Sequence, residues 1–380
     1  MRILFMTDTP ENPDSGAAGT EYQTALALRD LGHEVDTIWA DELPRRLRHG
    51  NLHYLLELPF TYRARMLGRL QSKPYDVVHV SQPHGYLAAR AAKRHPCRPI
   101  FVHRSHGFEP RVAAALAPWA ALQPARPFLR HAASEAMTRL LEFNNWAIAR
   151  HADGHIVSAE LCSAFIQERY GVANNRVAVI AQAPPLSYQQ AHIRAIDAGR
   201  LDRLLYVGQL AFFKAPMILA QAFEHVLAER PQATLTWVCS AQHHREASAL
   251  LSPAARARVN FVDWVSQDRL MDIYDAHGVF LFPSFFEGFG KAFLEAMTRG
   301  LLVVASAEGG ARDLIVSGKN GFIVPVGDAM AMAQACLAIQ RGAVDFRQMS
   351  ESARQTGLQH TWRRVAQESA AFYQALGALK

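Results

Sequence analysis

Short apolar runs alternate with segments of helical period from one end of this chain to the other, and that alternation narrows the possible folds more than any other feature. Strands are read at residues 2–6, 34–39, 76–80, 99–102, 155–158 and 176–180, with helical stretches filling most of the gaps. A second series follows at 204–208, 234–239, 259–262, 279–282, 301–305 and 321–324. Such βα repetition builds parallel sheets covered by helices on both faces. Between the two series, residues 182–199 carry the Pro184–Pro185 pair and few large apolar side chains, the composition of a linker. The expected fold class is therefore α/β, two doubly wound Rossmann-like domains facing a central cleft, with ligands at the carboxyl ends of the strands.

The 380 residues suit two domains, bounded at 1–185 and 200–358. A final segment, 359–380, places Trp362, Val365, Ala366, Ala370, Phe372, Tyr373 and Leu376 at mostly three- and four-residue steps, an amphipathic helix expected to cross back to the first domain. Cys97, Cys162, Cys239 and Cys336 lie far apart, so neither a disulfide framework nor a zinc ribbon fits and a reducing compartment follows. With no signal-like start, the expected location is cytoplasmic. The most apolar stretch, 112–129, is interrupted by Pro118, Pro124, Arg126 and Pro127, which excludes a spanning helix there. The net charge of +6 is mild, and its densest cluster, RRLRH at 45–49, lacks the basic stripe of a nucleic-acid binder.

The most informative stretch is PSFFEGFGKAFLEAM, 283–297, where a strand leads to a turn opened by Gly288 and Gly290 and then to a helix. That arrangement aims free backbone N–H groups and a positive dipole end at an anion such as phosphate. Glu287 and Glu295, with seven residues between them, can both face the cleft, where carboxylates accept hydrogen bonds from paired sugar hydroxyls. The plain alternative is two solvated charges near a helix start. Gly16 and Gly19 flank a small-residue loop after the first strand, a place for close backbone approach to a phosphate or another ligand. No Asp-x-Asp triplet occurs, so no metal site and no cofactor are expected.

EGFGKAFLE resembles the paired-glutamate signature of the retaining family-4 glycosyltransferases, which have two Rossmann-like domains (the GT-B fold). Five further segments fall in that family's order: SGAAGTEYQTALALRDLGHEV (15–35), YDVVHV (75–80), HRSHGFE (103–109), YVGQLAFFK (206–214) and EGGARDLIVSGKNGFIV (308–324). The resemblance implies that Glu295 holds the ribose of a nucleotide-sugar donor, that Glu287 contacts the transferred sugar, and that Lys214 faces the diphosphate. It puts Gln209, Gly288, Phe289 and Gly290 in the donor site with Gly16 and Gly19, and His106 near the reaction centre. Two departures stand out: Gln209 replaces a common arginine, removing a bidentate phosphate contact, and Ala215 replaces a common glycine. His243, His244 or Arg245 offer replacement charge, against the plainer reading of a solvated helix start.

The resulting expectation is a metal-independent, retaining transfer of a sugar from a nucleotide diphosphate donor to a hydroxyl acceptor, with no nucleic-acid partner. Arg45, Arg63, Arg65 and Arg69, with the apolar segment bearing Trp119 and Phe128, suggest peripheral contact with the inner membrane face and a lipid-linked acceptor. Helices packed within the first domain are the alternative. Three other functions stay open: a sugar-nucleotide epimerase of the same fold, a catalytically weak partner subunit, and a dinucleotide-dependent oxidoreductase, the last disfavoured because the first βα turn lacks G-x-G-x-x-G.

Overall fold

The computed structural model describes residues 1–13, 16–107, 109–123, 128–193 and 195–379, with backbone alone at 109 and 128–136. Ser15 of the glycine loop, Phe108, Pro124, Arg126, Pro127 and the side chain of Phe128 lie outside the described residues. The chain forms two compact units, Met1–Gln182 together with Trp362–Lys380, and Ala183–Thr361.

In unit 1, β1 (Arg2–Met6), β2 (Glu34–Ile38), β3 (Val77–Ser81), β4 (Ile100–Arg104), β5 (Gly154–Val157) and β6 (Val177–Val179) make one parallel sheet in the order β2-β1-β3-β4-β5-β6. The sequence VVHVS of β3 is buried throughout, as expected of a parallel strand covered on both faces. Leu4, Val78, Val80 and Phe101 of the sheet pack against Leu58, Tyr62, Met66 and Ile148 of the flanking helices. The terminal helix Trp362–Ala378 belongs to this unit and buries Trp362, Val365, Ala366, Ala370, Tyr373 and Leu376. A Cβ on Gly154, at the start of β5, would stand 2.4 Å from Leu376 Cδ1, so glycine is what lets that helix seat.

In unit 2, β7 (Arg203–Val207), β8 (Thr234–Val238), β9 (Val259–Val262), β10 (Val279–Phe282), β11 (Leu302–Ser306) and β12 (Phe322–Val324) run in the order β12-β11-β10-β7-β8-β9. The order reverses between β7 and β10, the switch point at which a doubly wound sheet opens a crevice beyond its carboxyl ends. The loops leaving these two strands contain Lys214 and Glu287.

Residues 182–199 differ from the expected linker. They include the short helix Leu186–Gln190, whose Tyr188 is 1% exposed and donates its hydroxyl to Gln267 at 3.0 Å. The buried guanidinium of Arg299 donates to the carbonyls of Tyr188, Ala191 and His192. One large aromatic residue and one arginine anchor a segment whose average composition reads as loop.

Candidate functional site

The loop leaving β7 ends in a helical turn, Phe212–Lys214, and Ala215 then starts the helix Pro216–Glu229 from a left-handed backbone, φ +51° and ψ +52°. Lys214 Nζ donates to Glu287 Oε1 at 2.6 Å, and Ser284 Oγ donates to the same oxygen at 2.7 Å. The rings of Phe213 and Phe282 flank the ammonium with centroids at 5.5 and 5.7 Å, a range in which aromatic faces favour a cation. The two loops are tied together because the N–H groups of Phe285 and Phe286 both donate to the Phe213 carbonyl.

The loop after β10 is fixed from its other side as well. Gly310 N–H donates to the Phe289 carbonyl at 3.0 Å, and Ser306 Oγ donates to the Ser284 carbonyl at 2.6 Å. Gly309 and Gly310 permit this closeness, since added Cβ atoms would lie 2.6 Å from Glu287 Cβ and 2.3 Å from Phe289 Cδ2. Gly290 has φ +89° and opens the helix Lys291–Thr298, which carries Glu295. Glu295 accepts from the Tyr274 hydroxyl at 3.1 Å. Burial raises its pKa against the opposing pull of Lys291 and that hydrogen bond. Glu287 and Glu295 are 5% and 7% exposed, so the reading of both as solvated surface charges fails. Burying a carboxylate at that depth demands partners, and these two have them.

Unit 1 carries its own polar cluster. Gly16 precedes the first helix, Ala17–Asp30, whereas Gly19 lies inside it, so the expected glycine-flanked loop is the helix's opening turn. Ala17 and Ala18 between the glycines are good helix formers, which accounts for the difference. A Cβ on Gly19 would come within 2.5 Å of the Pro13 carbonyl oxygen. Two positions on, Glu21 is fully buried, its Oε1 2.6 Å from His106 Nε2 and its Oε2 3.7 Å from His79 Nε2. Burial pushes the Glu21 carboxyl up, but His106, His79 and Arg104 prevail and hold it at about 2. The Tyr373 hydroxyl of the terminal helix is 2.6 Å from His79 Nδ1.

The family model described as Glycosyltransferase Family 4 matches residues 15–183, and the one described as Glycosyl transferases group 1 matches residues 202–341. This chain belongs to the family-4 glycosyltransferases. It is 30% identical over 169 residues to the D-inositol 3-phosphate glycosyltransferase of Rhodococcus jostii, a match covering 41% of this chain and 37% of that protein. The protein of that name from Streptomyces bingchenggensis is 30% identical over 272 residues, covering 66% of this chain and 56% of its own. The match thus spans less than two thirds of either relative's length. Among solved structures, sucrose-phosphate synthase from Thermosynechococcus elongatus matches with TM-score 0.76 at 21% identity, both chains covered fully. Anabaena HepE in complex with UDP and glucose matches with TM-score 0.68 at 17% identity, 98% of each chain covered. The shared fold is GT-B, two doubly wound domains.

Lys214, Glu287, Gly290 and Phe289 belong to one packed pair of loops in unit 2, with Gly288 between them in the chain, and Glu295 sits on the helix that follows. Gln209 is exposed in the loop after β7. His244 Nε2 lies 3.1 Å from the Cys239 carbonyl oxygen and His243 faces Glu246, while Arg245 is exposed. His106 is in unit 1 with Glu21. Sequence reasoning missed Glu21, Ser284 and Tyr274. None left a clear signal: Glu21 stands in the helix AAGTEYQTALALRD, whose mixed apolar and polar sequence does not mark it as buried. Among the described residues no group of three His, Cys, Asp or Glu is arranged to hold a metal ion, and no helix is long and apolar enough to cross a membrane.

Proposed function

We propose that this chain transfers a glycosyl group from a nucleotide diphosphate sugar to a hydroxyl acceptor with retention of configuration and without a divalent cation. The observation that carries this reading is the Lys214–Glu287 ion pair, supported by Ser284, at the β7/β10 switch point. As the glycosidic bond breaks, negative charge grows on the departing diphosphate. An ammonium already fixed by a carboxylate and two aromatic rings stabilises that charge without having to reorganise. Glu287 is then an ionised acceptor for hydroxyls of the transferred sugar, and Glu295, bound on the protein side by Tyr274, accepts from the ribose. Gly288, Phe289 and Gly290 shape the donor site in unit 2, and Gln209 supplies a neutral contact. His106 serves the acceptor. The relatives named for D-inositol 3-phosphate and the HepE complex with UDP and glucose agree with a polyol acceptor and a nucleotide donor.

Calorimetric titration with a panel of nucleotide sugars tests the assignment. Binding of one donor, slow hydrolysis of it and turnover undiminished by a chelator support the proposal. Binding followed by release of an altered sugar without any acceptor would point to an epimerase. Silence toward every donor would point to a partner subunit without turnover.

A lipid-borne acceptor at the cytoplasmic membrane face is the second element of the proposal. Leu56 and Phe60 are 62% and 57% exposed, and Phe60, Leu67 and Leu87 line a groove with Arg63, Arg90 and Arg94. Arg45 and Arg65 are also exposed, whereas Arg69 is engaged by Glu42 at 2.8 Å. Apolar side chains ringed by arginines suit an anionic bilayer surface. Flotation with anionic vesicles, lost at high salt, is the expected result, and indifference to lipid charge would remove this part.

A further inference from the structure

We propose that the helical face of unit 1 carries a second binding site, for an anionic oligosaccharide, in which Trp146 stacks on one sugar ring while Arg150 and Arg176 pair with the ligand's carboxylate or phosphate. The helix Phe128–His151 buries Asn144, Asn145, Ala147 and Ile148 on one side. On its other side Leu140, Phe143, Trp146 and Arg150 follow at three- and four-residue steps, and all four are exposed. Phe143 and Trp146 leave 52% and 48% of their surface open, with ring centroids 6.2 Å apart and planes within 29° of parallel. The stripe runs about 15 Å along the helix. It ends at a cavity of about 230 Å³ lined by Trp146, Arg150, Tyr170, Val172 and Arg176.

That cavity lies at the amino ends of β5 and β6, because its residues close the helices Phe128–His151 and Glu160–Tyr170 that lead into those strands. Ligands of a doubly wound sheet collect at the carboxyl ends, so this is a separate place. Helix C-termini favour cations, which accounts for Arg150 here and for Arg90 in the last turn of Tyr86–Ala92. It gives no reason for two large rings left in water beside them.

Charge selects the ligand. Arg150 lies over the Trp146 ring at 5.5 Å, and among the described residues neither Arg150 nor Arg90 nor Arg94 forms an ion pair. Arg176 is held in place by the carbonyls of Ala152 and Asp153. Burial, then Lys93, Arg90, Arg150 and Arg94, lower the pKa of His151, so the fields of four cations converge on this end of the helix. Glu142, the carboxylate nearest Tyr170, is engaged by Arg169. Guanidinium groups pair with carboxylate or phosphate, and aromatic faces take the C–H face of a sugar ring. An acidic glycan brings both partners, whereas a second copy of this chain would set cation against cation. At about 230 Å³ the cavity is smaller than the roughly 300–1,000 Å³ of pockets that enclose a whole ligand. One ring therefore enters, and the following units lie along the stripe.

Calorimetric titration of the donor-free protein tests this, with galacturonic acid oligomers and phosphomannan as acidic glycans. Neutral maltooligosaccharide, oligoglutamate of matched charge and phosphatidylglycerol vesicles are the controls. At least one acidic glycan should bind about tenfold or more tightly than maltooligosaccharide and oligoglutamate, each of which lacks one of the two contacts. Trp146→Ala and Arg150→Gln, both at exposed positions, should each weaken that binding about fivefold or more. The indole N–H resonance of Trp146, identified by its loss in Trp146→Phe, should shift with the acidic glycan, and this wild-type signal decides if the alanine variant does not fold. No binding of either acidic glycan, equal binding of oligoglutamate, affinity unchanged in both variants, or binding confined to the vesicles would overturn the proposal. No donor is present in these titrations, so failure here leaves the transfer reading above untouched.

Discussion

Acidification from pH 7 to pH 5 should selectively destabilise unit 1. His79, His84, His103 and His155 are between 0% and 6% exposed. Burial depresses all four, His79 and His155 to about 3 and His84 to about 4, while His103 falls well below its ordinary value with a contribution from neighbouring His155. In the unfolded chain each would titrate near pH 6.5. The unfolded state therefore takes up protons first, and stability that is intact above pH 6.5 is lost progressively as the pH falls toward 4 and 3. At pH 5 each group costs about 2 kcal/mol, and the four together approach about 8 kcal/mol, comparable with the whole stability of a domain. Glu21, held at about 2, keeps its contribution above the ordinary carboxylate pKa and loses it as the pH falls on toward 2, so it hardly enters this window. Asp8, raised by burial, acts with the opposite sign, but it is a single group. Hydrogen exchange read by mass spectrometry, corrected for intrinsic rates, provides the assay. Peptides from β3, β4 and β5 should lose protection between pH 7 and 5, relative to β10 and β11 of unit 2, which contain no histidine. Equal protection of both groups across that range would refute the argument that these imidazoles are held neutral by burial.

Other expectations concern unit 2 and the helices. Lys214→Ala should lower turnover by about 10²–10³ while affecting donor affinity far less, and equal losses in both would contradict a role in the transition state. Gly310→Ala, whose new methyl would meet the buried Phe289 ring, should cost about 1–3 kcal/mol in thermal or urea unfolding. The same change at Gly68, inside the helix Leu58–Ser72 with open space around it, should instead stabilise by about 0.5–1 kcal/mol. Tyr274→Phe removes the hydroxyl donor to buried Glu295, raising that carboxyl further, so donor affinity should begin to fall at a higher pH than in the wild type.

All twelve strands identified in the described residues were readable as short runs, because the inner strands, covered on both faces, have no polar side to blur the pattern, and even the partly exposed edge strands β2, β6 and β9 keep apolar residues at alternate or successive positions. Boundaries moved by a residue or two where a flanking polar group joined the ladder, as Arg104 does at the end of β4. Lys214, Glu287 and Glu295 were legible as a motif, but their mutual arrangement was not. Sequence places Lys214 and Glu287 73 positions apart, and only the β7/β10 adjacency joins them. Ser284 and Tyr274 escaped notice because a serine in a loop and a tyrosine on an amphipathic helix carry no local signature. Glycines gave a mixed account. Gly290, at positive φ, is the turn residue that the motif suggested, whereas Gly19 serves a close backbone approach inside a helix.

Ala215 shows how a departure from the family pattern can be absorbed. Its left-handed backbone costs an L-residue about 1–2 kcal/mol relative to glycine. Against that, its methyl is completely buried, which contributes about 0.8 kcal/mol, and alanine restricts the unfolded chain by about 0.4–1 kcal/mol more than glycine does. These terms nearly cancel, so Ala215→Gly should change unfolding stability by less than about 1 kcal/mol in either direction. A β-branched residue has no such balance: Ala215→Val keeps the backbone strain and adds bulk at a site with no exposed surface, for a loss of about 1–3 kcal/mol or more. Because Lys214 immediately precedes this residue, the valine variant should also displace the ammonium from Glu287 and reduce turnover, while the glycine variant keeps both. A large stabilisation by glycine would mean that the strain is uncompensated, and a tolerated valine would mean that the left-handed backbone is not what holds Lys214 in place.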